Sequence, residues 1–182
     1  MPSAINIGRP SEKRGNWSTR YCEVTAGQTF KVGDWVYKVA AGTLSIAAAS
    51  GAAVDTSTAG VVLFGRALAD ASDVLNNSAA FPNGCPVDCP GYDGEFVTAV
   101  VGDASGATAA LDATDLDGAS SKIGLPLVNV SGQWCVNEAG DGTDDAVVLV
   151  ERHPQYPWAE AYGWFWTKVM TGERLEGVEI SD

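Results

Sequence analysis

Residues 28–51, QTFKVGDWVYKVAAGTLSIAAASG, and residues 59–72, AGVVLFGRALADAS, which follow a loop of small residues, decide the fold class of this chain. They read as strand, turn, strand, loop, strand. Phe30 and Val32 share a face, Gly33-Asp34 supplies a turn or a bulge, and Trp35, Tyr37 and Val39 continue on one face, as an inserted residue that flips the alternation would produce. Aromatic and β-branched side chains suit a half-buried pleated surface. Gly42 opens a second short run, Thr43 to Ile46, and Val61 to Phe64 is apolar enough to be a strand covered on both faces.

Working outward, Trp17 to Val24 is expected to be the first core strand. Further strands are predicted over Glu95 to Gly102, Pro126 to Val130, Gln133 to Asn137 and Ala146 to Arg152, with Ser131-Gly132 as a tight hairpin turn. Helix signals are poor: Asp70 to Asn77 has room for about two turns and Asp112 to Ser120 for about one. Asp103 to Ser121 is nearly all small or acidic and reads as a surface loop.

The Phe30-Lys-Val-Gly33-Asp34 entry, the Gly42-Thr-Leu44 hairpin, the strand from Gly60 through Gly65 to Leu68 and the exit at Ala69 to Ser72 together resemble the head decoration, or cement, proteins of tailed bacteriophages. Ala161-Tyr-Gly-Trp-Phe-Trp166 is a weaker echo, and together these segments cover about a third of the chain. The resemblance implies an all-β, compact β-barrel or β-sandwich (β-tulip-like) with an extended N-terminal arm. It further implies a homotrimer that binds the capsid exterior where major capsid protein subunits meet. Residues 76–150 do not match the short form of that family, which leaves room for an insertion or a second lobe.

A chain of 182 residues is long enough for one independent core. It has no run near the roughly 20 apolar residues a bilayer needs and no recognisable leader, so a product made in the host cytoplasm, with no membrane partner, is expected. The formal charge of −12 argues against nucleic acid. That charge is segregated: residues 1–38 hold six Lys or Arg against three acids, and residues 39–150 hold two against fourteen. An acidic body with a mildly basic arm fits docking of that arm onto another protein, and the charge alone fits a solvated acidic surface with no partner equally well.

Residues 1–16 lack core periodicity and read either as a frayed terminus or as an arm that orders on its partner, and removing them is expected to leave the body folded. Ile5, Ile7, Arg9, Lys13 and Arg14 are the arm's candidate capsid-binding residues. The core is assigned to residues 17–153, and residues 154–182 form an aromatic segment returning to the core or to an interface. Six of the sixteen aromatics fall between Tyr156 and Trp166. Trp17, Tyr156, Trp158, Tyr162, Trp164 and Trp166 are therefore candidate interface residues, since Trp and Tyr are enriched in such surfaces. The same rings could instead cap the core, or form a sugar platform in a virion-associated carbohydrate-binding β-sandwich, the alternative function.

Neither cofactor nor metal is expected. Cys22, Cys85, Cys89 and Cys135 should stay reduced in the cytoplasm, and Cys85-Pro-Val-Asp-Cys89, placed in a Pro- and Gly-rich loop, has poor spacing for zinc. Asp112, Asp115 and Asp117 miss an EF-hand register, because Ala113 and Gly124 fall where acids are required, and Asp141, Asp144 and Asp145 read as turn aspartates. His153, the single histidine, precedes Pro154 at a strand exit and is expected at the surface, with no nucleophile elbow or phosphate loop beside it. The chain is expected to bind rather than catalyse.

Overall fold

The structure is a computed structural model, and it describes residues 12–39, 42–47, 62–102, 123–137, 146–154 and 164–169. In chain order its strands are β1 (Lys13–Arg14), β2 (Trp17–Cys22), β3 (Trp35–Lys38), β4 (Leu44–Ile46), β5 (Val62–Ala67), β6 (Cys85–Pro90) and β7 (Glu95–Val101). There follow β8 (Ile123–Leu125), β9 (Leu127–Val130), β10 (Gln133–Asn137), β11 (Val147–Arg152) and β12 (Trp164–Val169), with a short helix α1 (Ala71–Asn76) between β5 and β6. One sheet runs β2-β6-β5-β3-β4, and the other runs β8-β11-β12-β7-β10-β9 with β1 added to β7. The chain is an all-β sandwich of two open sheets rather than a closed barrel.

Side-chain alternation explains the layers. From β3, Trp35 and Tyr37 point between the sheets, where they meet Phe96, Val100, Leu127 and Phe165. Val36 points the other way, joining Leu44, Phe64 and Val87 under Phe30 and the Ala71 and Val74 face of α1. Hence β3 is buried on both faces, and so short a helix persists because its apolar side is covered. Asp70 precedes α1 but does not cap it with its side chain; its carboxylate accepts from the Val32 N–H at 2.9 Å and the Lys31 ammonium at 2.8 Å, tying the helix start to the turn before β3.

Several expectations shift. Val32 does not share a face with Phe30: it is 61% exposed while Phe30 is fully buried. The cause is a turn, in which Asp34 N–H donates to the Lys31 carbonyl, Lys31 N–H donates to the Asp34 carboxylate, and Gly33 takes a φ of 92°. The irregularity in strand pairing falls later, between Val36 and Tyr37 against β5. The run from Trp17 is an edge strand ending at Cys22, with its middle exposed, rather than a core strand reaching Val24. Cys85 to Cys89 lies in a strand, not a loop; Pro86 lacks a donor, yet its carbonyl still accepts the Leu68 N–H at 2.9 Å. The acidic stretches 103–121 and 141–145 lie outside the described residues.

Other readings hold closely. β10 spans the predicted Gln133–Asn137, and Gln133 pairs with Val130 across a two-residue turn. Ser131 and Gly132 take φ values of 53° and 86°, the left-handed pair that a twisted hairpin selects. Gly65 answers a different demand. A Cβ there would lie 2.5 Å from the Asp88 carbonyl oxygen, so β5 approaches β6 only because that position has no side chain. In urea unfolding, Gly132→Ala should cost about 1 kcal/mol, from backbone strain alone. Gly65→Ala should cost several times as much, and equal costs would contradict the close approach of the two strands.

Candidate functional site

The N-terminal segment meets both sheets at one flank of the sandwich. β1 runs antiparallel to the start of β7, with Lys13 opposite Phe96 and Arg14 opposite Glu95, and Val97 N–H donates to the Glu12 carbonyl at 3.1 Å. β10 takes the same edge of β7 further along, parallel, from Ala99 to Val101. The two short strands therefore share one edge and meet at Val97 and Thr98, whose hydroxyl donates to the Trp134 carbonyl at 3.3 Å.

Each side chain of the segment finds a partner on a different element. Lys13 Nζ lies 2.8 Å from Asp88 on β6, and Arg14 lies 2.6 Å from both Glu95 on β7 and Glu151 on β11. Burial pulls the Arg14 pKa down, but the hydrogen bonds to Glu151 and Glu95 outweigh it and leave the guanidinium raised. The same guanidinium sits 4.3 Å from the Trp166 ring centroid. Glu12 Oε2 lies 2.8 Å from His153 Nε2, and the His153 ring packs against Trp166 at 5.5 Å. Asn16 closes the segment, its backbone and side-chain N–H groups donating to the two oxygens of Asp93.

Beside β1 a cavity of about 470 Å³ opens between the sheets. Trp35 and Phe96, 5.0 Å apart, form part of its wall, and Trp134 forms another part, its indole N–H donating to Asp34 Oδ1 at 2.9 Å. Lys13, Arg66 and Asp88 contribute the charges at one end, where Arg66 lies 3.7 Å from the Asp88 carboxylate that Lys13 also contacts. Burial lowers the Arg66 pKa, and Asp88 offsets only part of that. Val32 and Leu68, exposed apolar residues, also line the cavity.

The structure gathers some of the residues singled out from sequence and spends them internally. Lys13 and Arg14, expected in a flexible arm, are fastened to the body, so the arm boundary moves from residue 16 to the start of β1. Trp17 is half-buried, edge-on to Phe96 at 6.4 Å, with its indole N–H donating to the Arg14 carbonyl. Trp164 is buried within one chain, among Val97, Val128 and Cys135 on the other face of its sheet, and Trp166 is covered by Arg14 and His153. His153 is 4% exposed rather than at the surface, because Glu12 and Trp166 fold over it. Ile5, Ile7, Arg9, Tyr156, Trp158 and Tyr162 lie outside the described residues.

The cysteines pack as apolar groups. Cys85 and Cys89 belong to the layer under α1, with Cys22 half-buried beside them, and burial pushes the Cys89 and Cys135 thiols up to about 12. Asp34, Arg66, Asp88 and Trp134 carry the cavity, yet no sequence pattern marked them; only the Gly33-Asp34 turn hinted that Asp34 had a fixed place. No protein-family model matches the chain, and neither a curated protein nor a solved structure matches it.

The fastening has a pH signature. The Asn16 backbone N–H holds the Asp93 carboxyl below the usual carboxylate range. A depressed folded-state pKa means a contribution present above the unfolded value, about 3.9, and lost as pH falls through the folded one. The difference in melting temperature between wild type and Asp93→Ala should be full at neutral pH and should shrink as pH falls through that range. A difference that grows on acidification would contradict the assignment.

Proposed function

We propose that this chain is a structural protein of a phage virion, a decoration protein that binds outside the head where major capsid subunits meet and holds them together. The observation that carries the reading is the fastening of residues 12–16. Backbone bonds and charged pairs root the N-terminal segment in β6, β7 and β11, so a grip exerted by residues 1–11 would be transmitted to both sheets. The resemblance of residues 30–72 to cement proteins names the partner class. Binding, rather than turnover, is the activity.

The internal pairing of Lys13 and Arg14 changes how that grip would work. Their charges are answered by Asp88, Glu95 and Glu151, which leaves Arg9 as the one Lys or Arg before them, beside Ile5 and Ile7. The contact should therefore be mainly apolar and only weakly dependent on salt. For self-association the edge strand β2 is the favoured surface. It pairs with β6 on one side, exposes Tyr21, and carries Arg20 as a charge of the kind that guards edges until the right neighbour arrives. A closed ring of three copies would cover such edges. Of the rings in the sugar-platform alternative, Trp164 is buried, Trp166 is partly covered by Arg14 and His153, and Trp158 lies outside the described residues.

The test is add-back to undecorated, expanded phage heads. Wild-type protein should raise the temperature of heat-induced head rupture. A chain lacking residues 1–11 should keep its own melting temperature but lose most of that effect, whereas a chain lacking residues 1–16 should itself melt lower. Full head stabilisation by the chain lacking residues 1–11 would contradict the role given to the arm. No stabilisation by wild type would overturn the function.

A further inference from the structure

We propose that Cys22 and Cys85 are a modification site, at which an intramolecular disulfide closes when the folded chain meets a small-molecule disulfide and locks β2 onto β6. This inference does not rest on the capsid reading and survives or fails separately from it. The register brings the two residues together: in the antiparallel pairing of β2 with β6, Cys22 stands directly opposite Cys85. Opposed residues send their side chains to the same face, and here both thiols enter the layer under α1. The Pro86 carbonyl turns to Leu68, on the β5 side, so the backbone groups of Cys85 turn to β2 and Cys22 and Cys85 are a hydrogen-bonded pair. Such pairs hold their Cα atoms about 5.5 Å apart, inside the range that disulfides span. The other two cysteines face no thiol: Cys89 stands opposite Ser18, and Cys135 opposite Ala99 and Val128.

Burial orders the two steps. Cys22 is partly exposed and Cys85 is fully buried, so an incoming disulfide meets Cys22 first. The Cys22 thiolate attacks one sulfur of that disulfide and expels the other as a thiolate, leaving a mixed disulfide on Cys22. The Cys85 thiolate then attacks Cys22 Sγ and expels the second small thiol. The two protein thiols thus give up two electrons and two protons, and the S–S bond of the reagent is reduced to two thiols. Burial pushes both thiols up, with the Lys38 and Arg20 charges offsetting part of that at Cys22, so closure takes minutes to hours. Cys85 Sγ donates only weakly, to the Pro86 and Ala69 carbonyls at 3.3 and 3.8 Å, and closure gives up little there. The bond closes a loop around β3, β4, β5 and α1, which restricts the unfolded chain. It also ties down a strand whose one partner among the described strands is β6.

The experiment incubates the folded full chain with oxidised glutathione, then blocks the remaining thiols with iodoacetamide in urea. Digestion with a protease that cuts before aspartate separates Cys85 from Cys89 at Asp88, and the peptides are mapped by mass spectrometry without reduction. The peptide holding Cys22 should appear joined to the one holding Cys85, with Cys89 and Cys135 alkylated. The oxidised chain should melt about 5 °C or more above the reduced one, and a reductant should remove the difference. Cys22→Ser, a change at a partly exposed position, should lose no thiol to the reagent and should melt at the same temperature with or without it. Cys89→Ala should still form the link between residues 22 and 85. A wild-type chain that keeps all four thiols, or that stops at glutathione on Cys22, would overturn the proposal. So would a link from Cys22 to Cys89, a link between two chains, or a link between residues 22 and 85 that leaves the melting temperature unchanged.

Discussion

The contact of Trp35 with Phe96 is where the two sheets become one structure. Trp35 comes from β3, an interior strand of the five-stranded sheet, and Phe96 from the start of β7, and Trp17 packs edge-on against Phe96. Large rings packed at these angles remove much apolar surface from water and add a modest electrostatic preference of their own. Everything peripheral takes its position from that column. Lys13 and Arg66 both lie over the Trp17 ring, at 5.2 and 5.0 Å, and β1 is laid beside Phe96.

Magnitudes decide what holds the N-terminal segment. Its ion pairs are conspicuous, but Lys13 and Arg14 keep about two-fifths of their side-chain surface in water, and Glu151 keeps 55%. Pairs so exposed contribute roughly 0–1 kcal/mol each. Partial burial of Trp17 and the backbone bonds from Val97 and Gly91 hold the segment more firmly, and the charges act mainly to choose register and place. A segment held by ring packing and backbone bonds keeps its place in salt, where exposed ion pairs are screened.

Local chemistry made much of the fold legible. Strict alternation in Trp35-Val36-Tyr37, the Ser131-Gly132 pair and the apolar run into Phe64 each specify a conformation through neighbours alone. What sequence reasoning missed depended on contacts it could not see. Alternation extended through Gly33 places Val32 inward, whereas a turn closed by Asp34 reverses the chain there. Pro86 and Pro90, in and beside the Cys85 to Cys89 run, disfavour an interior strand and suggest a loop, yet neighbouring strands fit around them. Nothing in the vicinity of His153 foretells that Glu12, 141 residues away, folds across it. The cavity was illegible for the same reason, since Asp34, Arg66, Asp88 and Trp134 come from four separate elements.

The central claim is that residues 12–16 belong to the folded body. Native-state hydrogen exchange at the amides of Val97 and Gly91 tests it, because these donate to the Glu12 and Asn16 carbonyls respectively. Both amides should exchange only through global unfolding, at the rate of a core amide such as Val100. Exchange of the Val97 and Gly91 amides much faster than that of Val100 would show that the segment opens while the sandwich stays folded, and would contradict the account.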